Sequence, residues 1–165
     1  MRYAKEPLYL IPGTCFKILG NLLESSPQTR KLIDEPAFLV ALDAILGENK
    51  ALKDYALKFI FQFFNYHSNA VCARIINKNP DLLDFLLCLL QPETKDMAET
   101  VLETIELLLR LGEGMRNSDS GYNPVLQTII CLESVDNLYQ ISNITPNRNA
   151  LEIQSRILNF YLHSH

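Results

Sequence analysis

The chain has 165 residues, of which 48% are hydrophobic and 21% charged, and its net charge is −4. This length and apolar content are typical of one folded domain and exclude an intrinsically disordered chain, which would be poor in apolar residues and rich in charge. The acidic balance argues against a protein that neutralises the phosphates of duplex nucleic acid, so no nucleic acid is expected as a partner.

The helical signal dominates the chain. Apolar residues recur at steps of three and four, which is typical of amphipathic helices, and strand-type alternation is nearly absent. In chain order, helices are predicted around residues 16–23, 39–46, 50–66, 82–90, 94–111 and 150–161. Gly47 and Gly112 follow the last apolar residues of their helices and fit helix ends. The polar segment 112–121 is predicted to be a loop.

No apolar run reaches the roughly 18 residues of a membrane-spanning helix, so no membrane partner is expected. The chain also lacks the apolar segment and the small-residue cleavage site of a signal peptide, which favours a reducing intracellular compartment. Its cysteines lie far apart and none has CxxC spacing. We therefore expect small buried apolar side chains rather than disulfides or a zinc site at Cys15, Cys72, Cys88 and Cys131.

The helical segments repeat along the chain. Residues 16–21 align with 57–62 at an offset of 41, and 57–62 align with 102–107 at an offset of 45. A period near 42 residues, with two short helices and one long one, indicates armadillo repeats, and HEAT repeats are the close alternative. Such a unit cannot bury its apolar stripe alone, so neighbouring units stack into one core.

The predicted fold is therefore all-α, a right-handed superhelix of about three and a half armadillo-type repeats. It is expected to form a single segment over residues 1–165 that starts inside a repeat, near the long third helix. The predicted core includes Leu19, Ile45, Ala56, Ile60, Leu86, Leu102, Ile105, Leu109 and Ile157.

The last third of the chain resembles the importin alpha (karyopherin alpha) family. Residues 101–113 read VLETIELLLRLGE and are similar to the penultimate long helix of that family. The pair Asn123-Pro124 and the segment 132–138 follow as in the family, and the upstream segment 19–23 is also similar. The resemblance implies a nuclear transport adaptor, or its C-terminal part, in the cytoplasm and nucleus. The basic segment that binds importin beta in the family has no counterpart here.

The resemblance also implies a concave groove along the long helices. In the family, Trp-x-x-x-Asn pairs in this groove bind extended basic peptides, so the implied partner is a protein or peptide: the nuclear localisation signal of a cargo, or a nuclear export receptor. In this chain, the matching positions are Lys17 with Asn21, Lys58 with Gln62, Glu103 with Leu107 and, more loosely, Glu152 with Arg156. Only Asn21 is identical to the family, and the chain has no Trp.

The chemistry of these positions predicts a different peptide. Amides both donate to and accept from an extended backbone, so Asn21 and Gln62 are expected to hold it. Lysines would repel a Lys-rich ligand, so acidic ligand residues are expected against Lys17 and Lys58. Basic ligand residues are expected against a stripe formed by Glu99, Glu103 and Glu106, although this stripe also fits an ordinary solvated helix face. Phe61 is either a contact in the groove or part of the packing between repeats. The candidate groove residues are Lys17, Asn21, Lys58, Phe61, Gln62, Glu99, Glu103 and Leu107.

The sequence contains no motif of a known catalytic, nucleotide or metal site. We therefore expect no enzymatic activity, no cofactor and no metal. A different function remains open, in which the chain is a generic armadillo interaction scaffold without a role in transport. An authentic start at Met1 would favour that scaffold, and a longer upstream reading frame with further repeats would favour the adaptor.

Overall fold

Every element of this protein that the structure describes is a helix. The structure, a computed structural model, describes residues 10–115 and 122–162, and within them it contains no strand. The expected all-α fold is thus confirmed. The α-helices are α1 (Leu10–Ser25), α2 (Pro27–Arg30), α3 (Glu35–Leu46), α4 (Lys50–Tyr66), α5 (Asn69–Lys78), α6 (Leu82–Cys88), α7 (Ala98–Gly114), α8 (Pro124–Cys131), α9 (Asp136–Tyr139), α10 (Ile141–Ile144) and α11 (Arg148–Ile157). Two 3₁₀ helices, Pro92–Met97 and Glu133–Val135, precede α7 and α9, and a π-helix, Leu158–Leu162, follows α11.

The helices form two compact units, the first ending at Tyr66 and the second beginning at His67. None of the helices in the described residues is both long and apolar enough to cross a membrane.

The first unit is built on α4. Helices α1 and α3 pack against it, and buried phenylalanines fill the contacts. The ring of Phe38 on α3 lies 5.2 Å from that of Phe63 and 5.4 Å from that of Phe64, both on α4. Aromatic rings at these distances add to the stabilisation that their buried area provides.

Two glycines let α1 and α4 approach closely. A Cβ atom on Gly13 would lie 2.7 Å from Cδ2 of Tyr55, and one on Gly20 would overlap the side-chain amide of Gln62. Between the glycines, the ring of Phe16 lies 5.8 Å from that of Phe59. Because all three contacts join residues 42 or 43 positions apart, the two helices are parallel and keep one register.

The second unit contains its own parallel stack. Side-chain hydrogen bonds in it join four pairs of residues 50 positions apart: Ser134 to Asp84, Asn137 to the Leu87 carbonyl, Asn149 to Glu99 and Arg156 to Glu106. The first two connect α6 with Glu133–Val135 and α9, and the other two connect α7 with α11. The segment that contains α6 and α7 therefore lies in a constant register against the segment that contains α9 and α11.

The predicted core is largely confirmed. Eight of its nine members are buried, and only Leu19 is half-exposed. Gly47 directly follows α3, as expected for a helix end. The prediction for Gly112 is wrong, because α7 continues to Gly114 and Gly112 is a buried residue inside it. Of the predicted loop, residues 116–121 lie outside the described residues.

The prediction of four buried cysteines is wrong for three of them. Cys15, Cys88 and Cys131 are exposed, because each lies on the solvent side of its helix despite its apolar neighbours in the sequence. Only Cys72 is buried. Its burial raises the pKa of the thiol to about 11, so Cys72 stays protonated at neutral pH.

Candidate peptide-binding site

Four of the predicted groove residues surround one close contact in the first unit. The amide of Gln62 on α4 lies against the bare backbone of Gly20 on α1. Lys17 and Asn21 are exposed beside Gly20, and Lys58 is exposed one turn before Gln62. Residues three or four apart share a helix face, so these side chains form one continuous polar surface, which we call the amide strip.

Gln62 is the half-buried member of the amide strip. Its amide occupies the space that a side chain at position 20 would need. The glycine thus gives the Gln62 amide a place at the surface between the two helices. A side chain confined in this way loses less conformational freedom when it binds a ligand than a fully exposed one.

The amide strip carries two lysines and is not free of acidic groups. The Lys58 ammonium lies 2.8 Å from Oδ2 of Asp54, one turn earlier on α4. Because both side chains are substantially exposed, this ion pair is weak and the ammonium stays available to a ligand. Lys17 makes no ion pair with any residue that the structure describes. Glu24 is exposed on α1, one turn beyond Gly20, and marks the acidic end of the strip.

Two further residues of α4 border the amide strip. Phe61 is half-exposed, so it is available for a ligand contact without being a fully exposed platform. Asn65 is exposed and lies three residues after Gln62, which places a further amide on the same face. Sequence reasoning missed Asn65 because it compared only single matched positions. The spacing from Lys58 to Gln62 and Asn65 could have revealed it.

The other three candidates lie on α7 in the second unit. The Glu99 carboxylate accepts hydrogen bonds from the side-chain amides of Asn147, at 2.8 Å, and Asn149, at 3.0 Å. Leu107 is half-exposed on the same helix. Glu99 is thus already bound by groups from the start of α11.

Glu106, the last member of the predicted acidic stripe, forms a two-pronged ion pair with α11. Its two carboxylate oxygens accept hydrogen bonds from Nε and Nη2 of Arg156 at 2.8 and 2.9 Å. The hydrogen bond from Arg156 lowers the pKa of Glu106, and the neighbouring charge of Arg110 acts in the same direction. The side chain of Glu106 is only 13% exposed, so it serves the packing of α7 on α11.

Glu103 lies one turn from both of these carboxylates on α7. Its pKa is raised, first by burial and then by the charges of Glu99 and Glu106, while Arg156 opposes the shift. The acidic stripe is therefore no uniform patch. Glu99 and Glu106 are bound to groups of α11. Glu103 is half-buried, and the charges of Glu99 and Glu106 disfavour its ionised form.

No known family model matches this chain, and no curated protein is significantly similar to it. Within residues 10–115 and 122–162, no three His, Cys, Asp or Glu side chains come together as a group that could hold a metal ion.

Proposed function

We propose that this chain is a stack of armadillo-type repeats that binds extended segments of partner proteins. In this proposal it acts in the cytoplasm and nucleus as an importin-alpha-like transport adaptor, or as the C-terminal part of one. The amide strip is its peptide-binding surface, and its ligand is a segment that carries acidic side chains.

One observation carries the repeat architecture. The sequence alignment of the long helices places Gly13 and Gly20 of α1 at the same positions as Glu99 and Glu106 of α7. In the first unit these two positions contact the next long helix, α4, and in the second unit they contact the last long helix, α11. In a stack of repeats, equivalent positions of successive units make equivalent contacts, so this correspondence supports the repeat architecture.

The chemistry of the amide strip defines the ligand. Asn21 and Gln62 each offer a donor and an acceptor, which matches the alternating groups of an extended peptide backbone. Lys17 and Lys58 provide positive charge beside them and favour carboxylates, with an effect mainly on the association rate and its salt dependence.

The proposed site leaves out most of the acidic stripe. Because Glu99 and Glu106 already bind groups of α11, a basic ligand would have to displace these hydrogen bonds before it could pair with them. Glu103 and Leu107 remain as candidates for contacts in the second unit.

Fluorescence anisotropy with two labelled peptides of equal length tests the amide strip. One peptide alternates acidic and small residues, and the other is rich in lysine, as nuclear localisation signals are. We expect saturable, salt-sensitive binding of the acidic peptide. Asn21→Ala should weaken it by about fivefold, the equivalent of roughly 1 kcal/mol for one hydrogen bond. Lys17→Glu should slow association.

Lys31→Glu provides the matched control, because it makes the same charge change at an exposed lysine of the first unit that lies outside α1 and α4. If Lys17→Glu and Lys31→Glu slowed association equally, the effect would come from the net charge of the protein and not from the position of Lys17. If Asn21→Ala bound the acidic peptide as tightly as the wild type, the amide strip would not be the site.

The generic scaffold is the second candidate function, and the lysines favour it. Lys17 and Lys58 occupy positions where the resembled family places the tryptophans that hold basic signals. Binding of the chain to a purified export receptor of the importin alpha pathway would support the adaptor. Binding of the acidic peptide without any binding of that receptor would support the scaffold.

A further inference from the structure

One face of α1 exposes apolar side chains at positions that are buried in the other long helices. Ile18 is 52% exposed and Leu22 is 38% exposed. The repeat alignment matches these residues to Phe59 and Phe63 of α4 and to Thr104 and Leu108 of α7, all of which are at most 1% exposed. The face of α1 that carries Ile18 and Leu22 is therefore exposed to solvent, whereas the equivalent faces of α4 and α7 are buried.

The first unit shows what covers this face on α4. Phe59 packs on Phe16 of α1, with Tyr55 and Gln62 over Gly13 and Gly20 on either side, while Phe63 packs on Phe38 of α3. Helix α1, which covers Phe59, thus presents an aromatic side chain between two glycines that lie seven residues apart. The glycines let the backbones approach, and the aromatic ring fills the space between them.

The exposed face of α1 has the spacing that helix packing needs. Cys15, Ile18, Leu22 and Ser25 are all exposed and follow one another at steps of three, four and three. This spacing forms a single seam along the helix, with the two large apolar residues at its centre. We call it the Ile18 seam. It lies on the side of α1 away from Gly13, Phe16 and Gly20, which face α4.

We propose that the Ile18 seam is a docking surface for a helix of another protein, and that this helix carries an aromatic residue between small residues seven positions apart. The docked helix continues the α1–α4 packing by one more member and lies parallel to α1. This surface is separate from the amide strip, so the two can be tested independently.

A synthetic helix tests the proposal directly. The probe is a labelled peptide with the sequence of residues 10–25 in which Ile18→Gln and Leu22→Gln remove its own seam and leave only its glycine and aromatic face. We expect saturable binding to the full chain. Ile18→Asp in the protein should weaken that binding at least tenfold, and Leu22→Lys should act in the same direction. A probe that also carries Phe16→Asp should not bind.

Leu46→Asp provides the control, because Leu46 on α3 is 49% exposed and lies outside the seam. It should leave binding unchanged, and circular dichroism should give the same helical spectrum for every variant. If Ile18→Asp left binding of the probe unchanged, the probe would have taken the place of α1 against α4. That result would overturn the proposal. Absence of binding would also overturn it, as would sedimentation that showed dimers of the chain formed through Ile18.

Discussion

The side chain of Asn123 lies against Gly112 and ties the start of α8 to the last turns of α7. Its Oδ1 accepts hydrogen bonds from the backbone N–H groups of Val125 and Leu126, at 3.0 and 3.1 Å. Its Nδ2 donates to the Leu109 carbonyl at 2.9 Å and to the Glu113 carboxylate at 2.8 Å. One buried amide thus caps one helix and binds the end of another.

Asn123→Ala should lower the free energy of unfolding by about 2–3 kcal/mol, because it removes a helix cap and leaves buried polar groups without partners. Asn123→Asp should retain the cap but lose both donated bonds, and it should fall between wild type and alanine. Urea denaturation followed by circular dichroism measures both. An alanine variant as stable as the wild type would contradict the role of this side chain.

Gly112→Ala should destabilise the protein by about 1–3 kcal/mol, although alanine usually favours a helix. A Cβ at position 112 would overlap the Asn123 side chain, whose amide is held on both sides. Gly47→Ala is the matched control, because a Cβ there would make only ordinary contacts, the nearest at 3.4 Å. If the two variants had the same free energy of unfolding, the Asn123 side chain would be able to move away from position 112 without loss of stability.

The sequence predicted helices and core well, because both depend on local periodicity. The three- and four-residue spacing of apolar side chains correctly identified Ile60, Leu102 and Ile157 as core. The same spacing could not show what lies opposite the acidic stripe. Glu106 binds Arg156, which comes 50 residues later, and no pattern within one helix reports a partner at that distance.

The amide strip was predictable in part. Aligning the long helices identified Asn21 and Gln62 as equivalent positions, and both border Gly20 in the structure. Gly20 entered the sequence analysis only as part of the segment 19–23, because a glycine has no side chain that could be assigned to the core or to the surface of the helix. Its function, to admit the Gln62 amide between α1 and α4, depends on the distance between two helices and emerges only from the folded structure.

The thiols should fall into two classes. At pH 8, an aromatic disulfide reagent should modify three thiols of the native protein, because Cys15, Cys88 and Cys131 are exposed. Cys72 should react only after unfolding, since it is buried and its pKa is raised to about 11. Absorbance of the released thiolate counts the thiols, and four fast reactions in the native protein would contradict the burial of Cys72.

The Glu106–Arg156 pair should make stability depend on pH. The lowered pKa of Glu106 means that the pair stabilises the fold above the carboxyl's usual range and that this stabilisation is lost as pH falls through the lowered pKa. Arg156→Gln should cost only about 0.5–1 kcal/mol at pH 7, because solvent screens a pair whose arginine is 47% exposed and Arg110 remains 3.9 Å from the Glu106 carboxylate. Urea titrations between pH 3 and 7 should show the deficit shrinking toward the acid end, and a constant deficit would contradict the pairing.

Glu103 should show the opposite dependence. Its raised pKa means that ionised Glu103 costs stability; this cost begins as pH rises above the carboxyl's usual pKa and is complete above the raised pKa. Because solvent screens a half-buried carboxylate, Glu103→Gln should gain only about 0.5 kcal/mol at pH 7, or roughly 1–2 °C in Tm. Glu48→Gln, at an exposed carboxylate beyond α3, is the control. A gain that persists unchanged at pH 3 would show that charge is not the cause.

The two glycines between α1 and α4 should separate stability from binding. Gly20→Ala brings a Cβ into the Gln62 amide, which is the free end of a flexible side chain and can rotate away. Alanine also favours the helix by about 1 kcal/mol, so the variant should be at least as stable as the wild type. Gly13→Ala gains the same helix propensity but meets the Tyr55 ring close to its base, at Cδ2 and Cγ, so the whole ring must shift and the variant should be about 1–2 kcal/mol less stable than Gly20→Ala.

Displacement of the Gln62 amide should still cost binding. In the anisotropy assay with the acidic peptide, Gly20→Ala should weaken binding by about fivefold, as Gln62→Ala does, since each removes roughly one hydrogen bond. The double variant should bind no more weakly than either single variant, because both changes act on the same amide. If the two effects multiplied instead, Gly20 would influence the peptide by another route, and the placement of Gln62 over Gly20 would not be the basis of the site.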